Sequence, residues 1–169
     1  LVYAPVAHWL FSPVGWATEL GAFDFAGGAV VHANAGIAAL VVAARLGRRT
    51  GWPDPQMRPH NLPLVMIGTA LLWFGWFGFN GGSGLASGTL ATLAFTVTHI
   101  CAASAALAWA VIEWLHRGKS SILGVATGLV AGLVCITPAS GFVEPMPALI
   151  MGIIVAAVCY FAVAVLKAK

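Results

Sequence analysis

The sequence predicts an all-α fold, a polytopic transmembrane helix bundle, and two observations carry that prediction. The first is length: five apolar runs fall at about Asp24–Leu46, Leu62–Gly82, Gly88–Leu115, Ser121–Pro138 and Pro145–Leu166. Each is close to or beyond the roughly 20 residues a helix needs to cross a bilayer. The second is charge. When the ends of the runs are assigned alternately to two compartments, every Lys and Arg falls on one side. Arg45, Arg48, Arg49 and Arg58 separate the first and second runs, Arg117 and Lys119 the third and fourth, and Lys167 and Lys169 follow the fifth. The opposite loops hold Glu19, Asp24 and Glu144 and no basic residue. Basic loops stay cytoplasmic, so the acidic ends are read as outer. A soluble chain has no reason to sort its charges this way.

Composition agrees. Hydrophobic residues make up 60% of the 169 residues and charged ones 8%, with a mean hydropathy of +0.94. That leaves almost no material for a soluble domain. The runs do not alternate apolar and polar residues, so they are not strands of a membrane barrel. Glycines fall inside the runs, as expected where helices in a bilayer approach through small residues. The basic excess reports topology and does not mark a nucleic-acid partner. The acidic outer face either concentrates cations at an entrance or consists of three unrelated loop carboxylates. Cys101, Cys135 and Cys159 sit in different runs without CxxC or His–Cys spacing, which argues against a disulfide framework or a zinc site. They read as small hydrophobes.

Along the chain, residues 1–10 read as the tail of an earlier span that emerges outside. Residues 11–23, with Ser12, Pro13, Gly15, Thr18 and Gly21, form an outer loop. The first full span descends from Asp24. Pro53, Pro55, Pro59 and Pro63 forbid a continuous helix in the cytoplasmic loop that follows. The second span rises to the flexible turn Asn80-Gly81-Gly82-Ser83-Gly84, and the third descends to Glu113 and His116. The fourth rises to Thr137-Pro138-Ala139-Ser140-Gly141, and the fifth ends at the basic terminus. With no initiator Met and no signal-peptide pattern, the expectation is one partial transmembrane domain over 1–169, truncated at both ends.

The chemistry concentrates in two stretches. In Asp24–Gly36, DFAGGAVVHANAG, the Asp24 carboxylate stands where a helix begins and can accept hydrogen bonds from free amides around Ala26 to Gly28. That is a helix cap, and a cation-attracting role is compatible with it. His32 lies two turns further, with Gly28 and Gly36 at i−4 and i+4 on one helical face. An ionisable side chain inside a bilayer is costly and marks a functional site by default; the alternative is a core histidine bonded to a neighbouring carbonyl. In Leu71–Ser83, LLWFGWFGFNGGS, the residues Leu72, Trp76, Phe79 and Ser83 form one stripe. It is either a stacked aromatic constriction below a hydroxyl acceptor or an interfacial aromatic belt. His99 lacks flanking glycines and reads as a structural polar residue. P-loop, GxSxG and dinucleotide signatures are absent from the sequence. Nothing here favours an enzyme, a cofactor or a metal.

These stretches resemble the ammonium transporters of the Amt/Mep/Rh family. The likeness runs over essentially the whole chain, from LVYAPVAHW through DFAGGAVVHANAG, RPHNLP and GTALLWFGWFGFNGGS to GKSSILG and ITPASGFV. It implies a trimeric assembly with a narrow pore in each subunit and, in most microbial members, eleven spans. This chain would supply the end of the fourth span and all of the fifth to ninth. Residue by residue, the resemblance makes Asp24 the aspartate near the outer ammonium site and His32 the first of twin pore histidines. Phe79 becomes an outer-gate phenylalanine, Ser83 the recruitment hydroxyl and Trp76 a pore-side tryptophan; Leu72 joins the pore or gate by its place in the same stripe. Phe11 aligns where many members carry a recruiting tryptophan, which weakens cation–π capture unless Trp9 or Trp16 substitutes. The second pore histidine belongs to a later span.

The implied function is passage of ammonium or ammonia, with methylammonium as analogue, across the cytoplasmic membrane by a homotrimer. A cytoplasmic regulatory protein at the pore mouth is a further partner the resemblance leaves room for. Two other readings stay open: a membrane receptor that senses ammonium, and a channel for neutral gas or small solutes.

Overall fold

The computed structural model describes residues 1–48, 50–51 and 59–167. Arg49, Asp54, Arg58, Lys169, Pro53 and Pro55 lie outside the described residues. Among those described, every regular element is helical. Two short helices, α1 (Tyr3–Phe11) and α2 (Trp16–Glu19), precede a π-helical turn at Gly28–Ala33, which runs into α3 (Asn34–Leu46). Then follow α4 (Leu62–Gly82), α5 (Thr89–Arg117), α6 (Ile122–Ile136) and α7 (Pro145–Lys167).

Four of these segments are long and apolar enough to cross a membrane: Gly28–Leu46, Leu62–Gly82, Thr89–Arg117 and Pro145–Ala164. The fourth predicted run differs. It forms only the 15-residue helix α6, shorter than a full span. The helix ends at Ile136, with Thr137 as its still helical C-cap, because Pro138 and the turn through Gly141 reshape the chain, with Phe142 and Val143 amides bonding back to Ala139. That early end leaves Thr137 and Pro138 free to serve the site described below.

The core is built around α5. Its buried residues Ala94, Val97, Thr98, Cys101, Ala102, Ala105, Ala106, Trp109 and Glu113 recur at helical spacing. Small side chains on α5 meet glycines on its neighbours. Gly124, Gly128 and Gly132 of α6 repeat every four residues, so they stack on one face of the helix. A Cβ on Gly132 would lie 2.7 Å from both the Ala105 Cβ and the Cys101 carbonyl, and one on Gly128 would lie 2.8 Å from the Ala105 carbonyl. On the other side Gly152 of α7 sits against Ser104 and the Cys101 carbonyl. In a bilayer, where lipid removes the hydrophobic drive between helices, such close packing is what holds them together.

Polar ties finish the framework. Asn61 caps α4 by accepting from the Leu64 amide (3.0 Å). Buried Asn80 donates from Nδ2 to Thr98 Oγ1 (2.9 Å), joining α4 to α5. At the basic end the buried Glu113 carboxylate accepts from both the amide (2.9 Å) and the hydroxyl of Ser121, while Ser121 Oγ caps α6 by accepting from the Gly124 amide (3.0 Å). His116 Nδ1 and Tyr160 Oη are 2.7 Å apart and link α5 to α7. The cysteines are free, with Cys101 buried and Cys135 and Cys159 half-buried.

Candidate functional site

Asp24 precedes the helix and organises its start. Its Oδ1 accepts from the Gly27 amide (3.0 Å) and the Gly28 amide, and its Oδ2 from Ala29 (2.9 Å) and Val30 (3.0 Å). One carboxylate thus takes up four amides that a helix N-terminus leaves unpaired. The donors run from Gly27 to Val30, beginning one residue and ending two residues later than the cap expected from the sequence. Gly27 makes this possible with a left-handed backbone (φ 100°, ψ 31°), which a residue with a side chain rarely adopts. Its carbonyl then accepts from both Val31 (2.8 Å) and His32 (3.2 Å), opening the wider π turn.

The π turn changes where His32 stands. The helix begins at Gly28, so His32 lies just over one turn inside it, and not two turns below Asp24. The altered register also removes the expected glycine-lined face. Gly28 is not open space beside the imidazole, since a Cβ there would lie 2.5 Å from Pro138. Gly36, by contrast, has no other group within 4 Å of where its Cβ would be. The Phe25 amide donates to the Pro138 carbonyl (3.0 Å) and docks the whole segment on the end of α6.

The imidazole of His32 is stacked on Trp76, with ring centroids 5.0 Å apart and planes at 28°. Phe79 lies 5.9 Å from His32 and 5.6 Å from Trp76. His32 Nε2 is 3.3 Å from Thr137 Oγ1, which also accepts from Trp76 Nε1 (2.9 Å) and donates to the Leu133 carbonyl (2.7 Å). Val31, His32, Leu71, Leu72, Gly75, Trp76 and Phe79 line an open groove of about 250 Å³. Its walls are almost wholly apolar, with the imidazole as the titratable group.

The two sequence-predicted stretches therefore meet: Leu72, Trp76 and Phe79 of α4 share the groove with His32. Ser83 is not part of its lining. It closes α4, and its hydroxyl donates to the Phe79 carbonyl (2.8 Å), which leaves its oxygen lone pairs to accept. Phe11 reaches the start of the site from α1, its Cζ 3.8 Å from where a Cβ on Gly27 would sit. Trp9 and Trp16 pack on each other, centroids 6.0 Å apart. His99 stays apart from the groove, exposed on α5 and stacked on Trp73 at 5.2 Å. No group of three or more His, Cys, Asp or Glu that could hold a metal occurs among the described residues. Thr137 and Pro138 were not foreseen as site residues. Their signal was a hydroxyl just before a proline at the end of an apolar run, where a helix end turns its last side chains toward a neighbour.

Fold and site define a multi-pass membrane protein whose one groove-lining imidazole is held by aromatic rings. The sequence matches the Ammonium Transporter Family over residues 1–169, and the chain belongs to that family. It is 52% identical over 161 residues to ammonium transporter Amt1 of Archaeoglobus fulgidus, covering 95% of this chain and 41% of that protein. It is 51% identical over 168 residues to an ammonium transporter of Aquifex aeolicus, covering 99% and 39%. Candida albicans Mep2 superposes with a TM-score of 0.92 at 42% identity, covering 98% of this chain and 38% of that structure. A structure described as a sensor Amt protein gives 0.89 at 35% identity, covering 96% and 43%. The chain thus spans about two fifths of the length of the curated relatives it matches.

Proposed function

We propose that the protein carrying this chain passes ammonium or ammonia across the cytoplasmic membrane as a homotrimer, and that it is not an enzyme. The observation that carries the proposal is the His32 imidazole stacked on Trp76 in an apolar groove. Moving an intact ammonium ion through such surroundings is costly, because an unpaired charge loses its hydration in a low-dielectric medium. A neutral molecule crosses it readily, and an imidazole beside its path can accept or donate a hydrogen bond. The groove therefore fits separation of the ion from its charge. Aromatic faces at its entrance, Phe79 and Trp76, attract a cation, and the Ser83 oxygen can accept from an N–H. Phe11, beside Gly27 at the start of the π turn, would offer a further ring to an incoming ion. Asp24 fixes the π turn that aims His32, and adds negative charge at the same end.

Uptake of labelled methylammonium into vesicles containing the protein, competed by ammonium, tests this reading. Uptake above that of empty vesicles and suppressed by ammonium is the expected result. No uptake would overturn it.

The likeness to a sensor Amt protein supports a second reading, a receptor that binds ammonium and signals to a cytoplasmic partner. Saturable ammonium binding without flux in the same vesicles would favour it. Flux of neutral solutes undiminished by loss of Asp24 and His32 would instead favour a gas or small-solute channel.

A further inference from the structure

We infer that Thr137 is a positioning residue that decides which nitrogen of the His32 imidazole carries the proton. The hydroxyl of Thr137 is fully buried and has three neighbours and one hydrogen. Trp76 Nε1, 2.9 Å away, is a donor only, so it must be met by an oxygen lone pair. The Leu133 carbonyl, 2.7 Å away, is an acceptor only, so the one hydroxyl hydrogen must point at it. Turning that hydrogen toward His32 would leave two oxygen lone pairs facing each other across 2.7 Å, a contact with no proton in it. Burial keeps out a water that could relieve the conflict. What remains for His32 Nε2, at 3.3 Å, is the second lone pair of Thr137 Oγ1, and only an N–H can bond to it. Neutral His32 is therefore protonated on Nε2, which leaves Nδ1 as the basic nitrogen.

The surroundings hold the arrangement in place. Thr137 still has helical backbone angles, φ −52° and ψ −48°, which set its hydroxyl over the carbonyl four residues back. Pro138, next in the chain, is clamped against Gly28 and bonded to Phe25. The helix end that carries Thr137 and the π turn that carries His32 are thus one unit. That Nδ1 then meets a substrate or takes up its proton rests on the transport reading; the tautomer does not.

Nitrogen-15 NMR of imidazole-labelled protein in micelles tests the assignment, with the His32 signals identified by their loss in His32→Gln. The expected spectrum shows neutral His32 with hydrogen on Nε2. Thr137→Ser, which keeps the hydroxyl, should retain that pattern, and Thr137→Val should lose it and populate the Nδ1–H form. A wild-type His32 protonated on Nδ1 would overturn the inference, and so would an Nε2–H pattern that persists in folded Thr137→Val. The wild-type spectrum decides even where the valine variant fails to fold. Because no flux is read, failure here leaves the transport reading to its own test.

Discussion

His32 and Trp76 lie face to face, ring centroids 5.0 Å apart, and share the hydroxyl of Thr137 through their side-chain nitrogens. The pair joins the π turn to α4 and the end of α6, three segments far apart in sequence. A stacked ring with a fixed hydrogen bond has little freedom left. In a bilayer, such a ring offers a polar nitrogen at a set place along an otherwise apolar wall.

Asp24 should tolerate neither Ala nor Asn. The carboxylate uses both oxygens, each for two amides. Asn keeps one oxygen and turns an NH2 group toward the amides the other oxygen served. Asp24→Asn should therefore cost about 1–3 kcal/mol of local stability, as expected when partly buried amides lose a charged acceptor. Hydrogen exchange at Gly27 to Val30 should accelerate in both variants. Exchange unchanged in Asp24→Asn would show that a neutral amide caps the turn as well and that the charge contributes nothing to holding it.

Gly132→Ala should destabilise the bundle by about 1–3 kcal/mol, because the added methyl must displace packed backbone on α5. Gly68→Ala on α4, which meets nothing within 4 Å, is the matched control and should be neutral or mildly stabilising. Thermal unfolding of both variants in detergent reads the difference. Equal melting temperatures would contradict the glycine-mediated packing of α6 on α5.

Glu113→Ala should loosen the turn between α5 and α6. It removes the acceptor for the Ser121 amide and hydroxyl, a loss of about 2–3 kcal/mol for bonds to a buried charged group. Arg117, 3.7 Å from Glu113 and largely in solvent, adds little to that figure. Glu113→Gln should recover part of the loss, and exchange at the Ser121 and Gly124 amides should follow the same order. Faster exchange confined to α7 would contradict the assignment.

Much of this architecture was legible in the sequence because a bilayer enforces it. Apolar length located four of the five spans closely, since backbone groups in lipid must be paired within helices. The stripe Leu72, Trp76, Phe79 was legible because α4 is a regular helix, whose periodicity maps sequence onto a face. His32 was found for its cost in lipid, but its surroundings were misjudged. A π turn breaks the spacing of 3.6 residues on which face arguments rest, and nothing in Gly27-Gly28 announces that turn without the carboxylate geometry of Asp24. Thr137 was missed for a different reason: beyond the Leu133 carbonyl of its own helix, its partners His32 and Trp76 come from two other segments, and only tertiary packing brings them to one hydroxyl. The short α6 was overestimated because apolar composition continues past the point where Pro138 ends the helix.

The central claim is that His32, and not simply any intramembrane histidine, serves conduction. His99 provides the comparison, being also stacked on a tryptophan within a span yet outside the groove. Uptake of labelled methylammonium should be measured in vesicles holding equal amounts of wild type, His32→Ala and His99→Ala of the protein that carries this chain. The expected result is a loss of about tenfold or more for His32→Ala, toward the roughly hundredfold that a positioned proton-handling group supplies, with His99→Ala near wild type. Equal losses in the two variants, or full uptake in His32→Ala, would contradict the account.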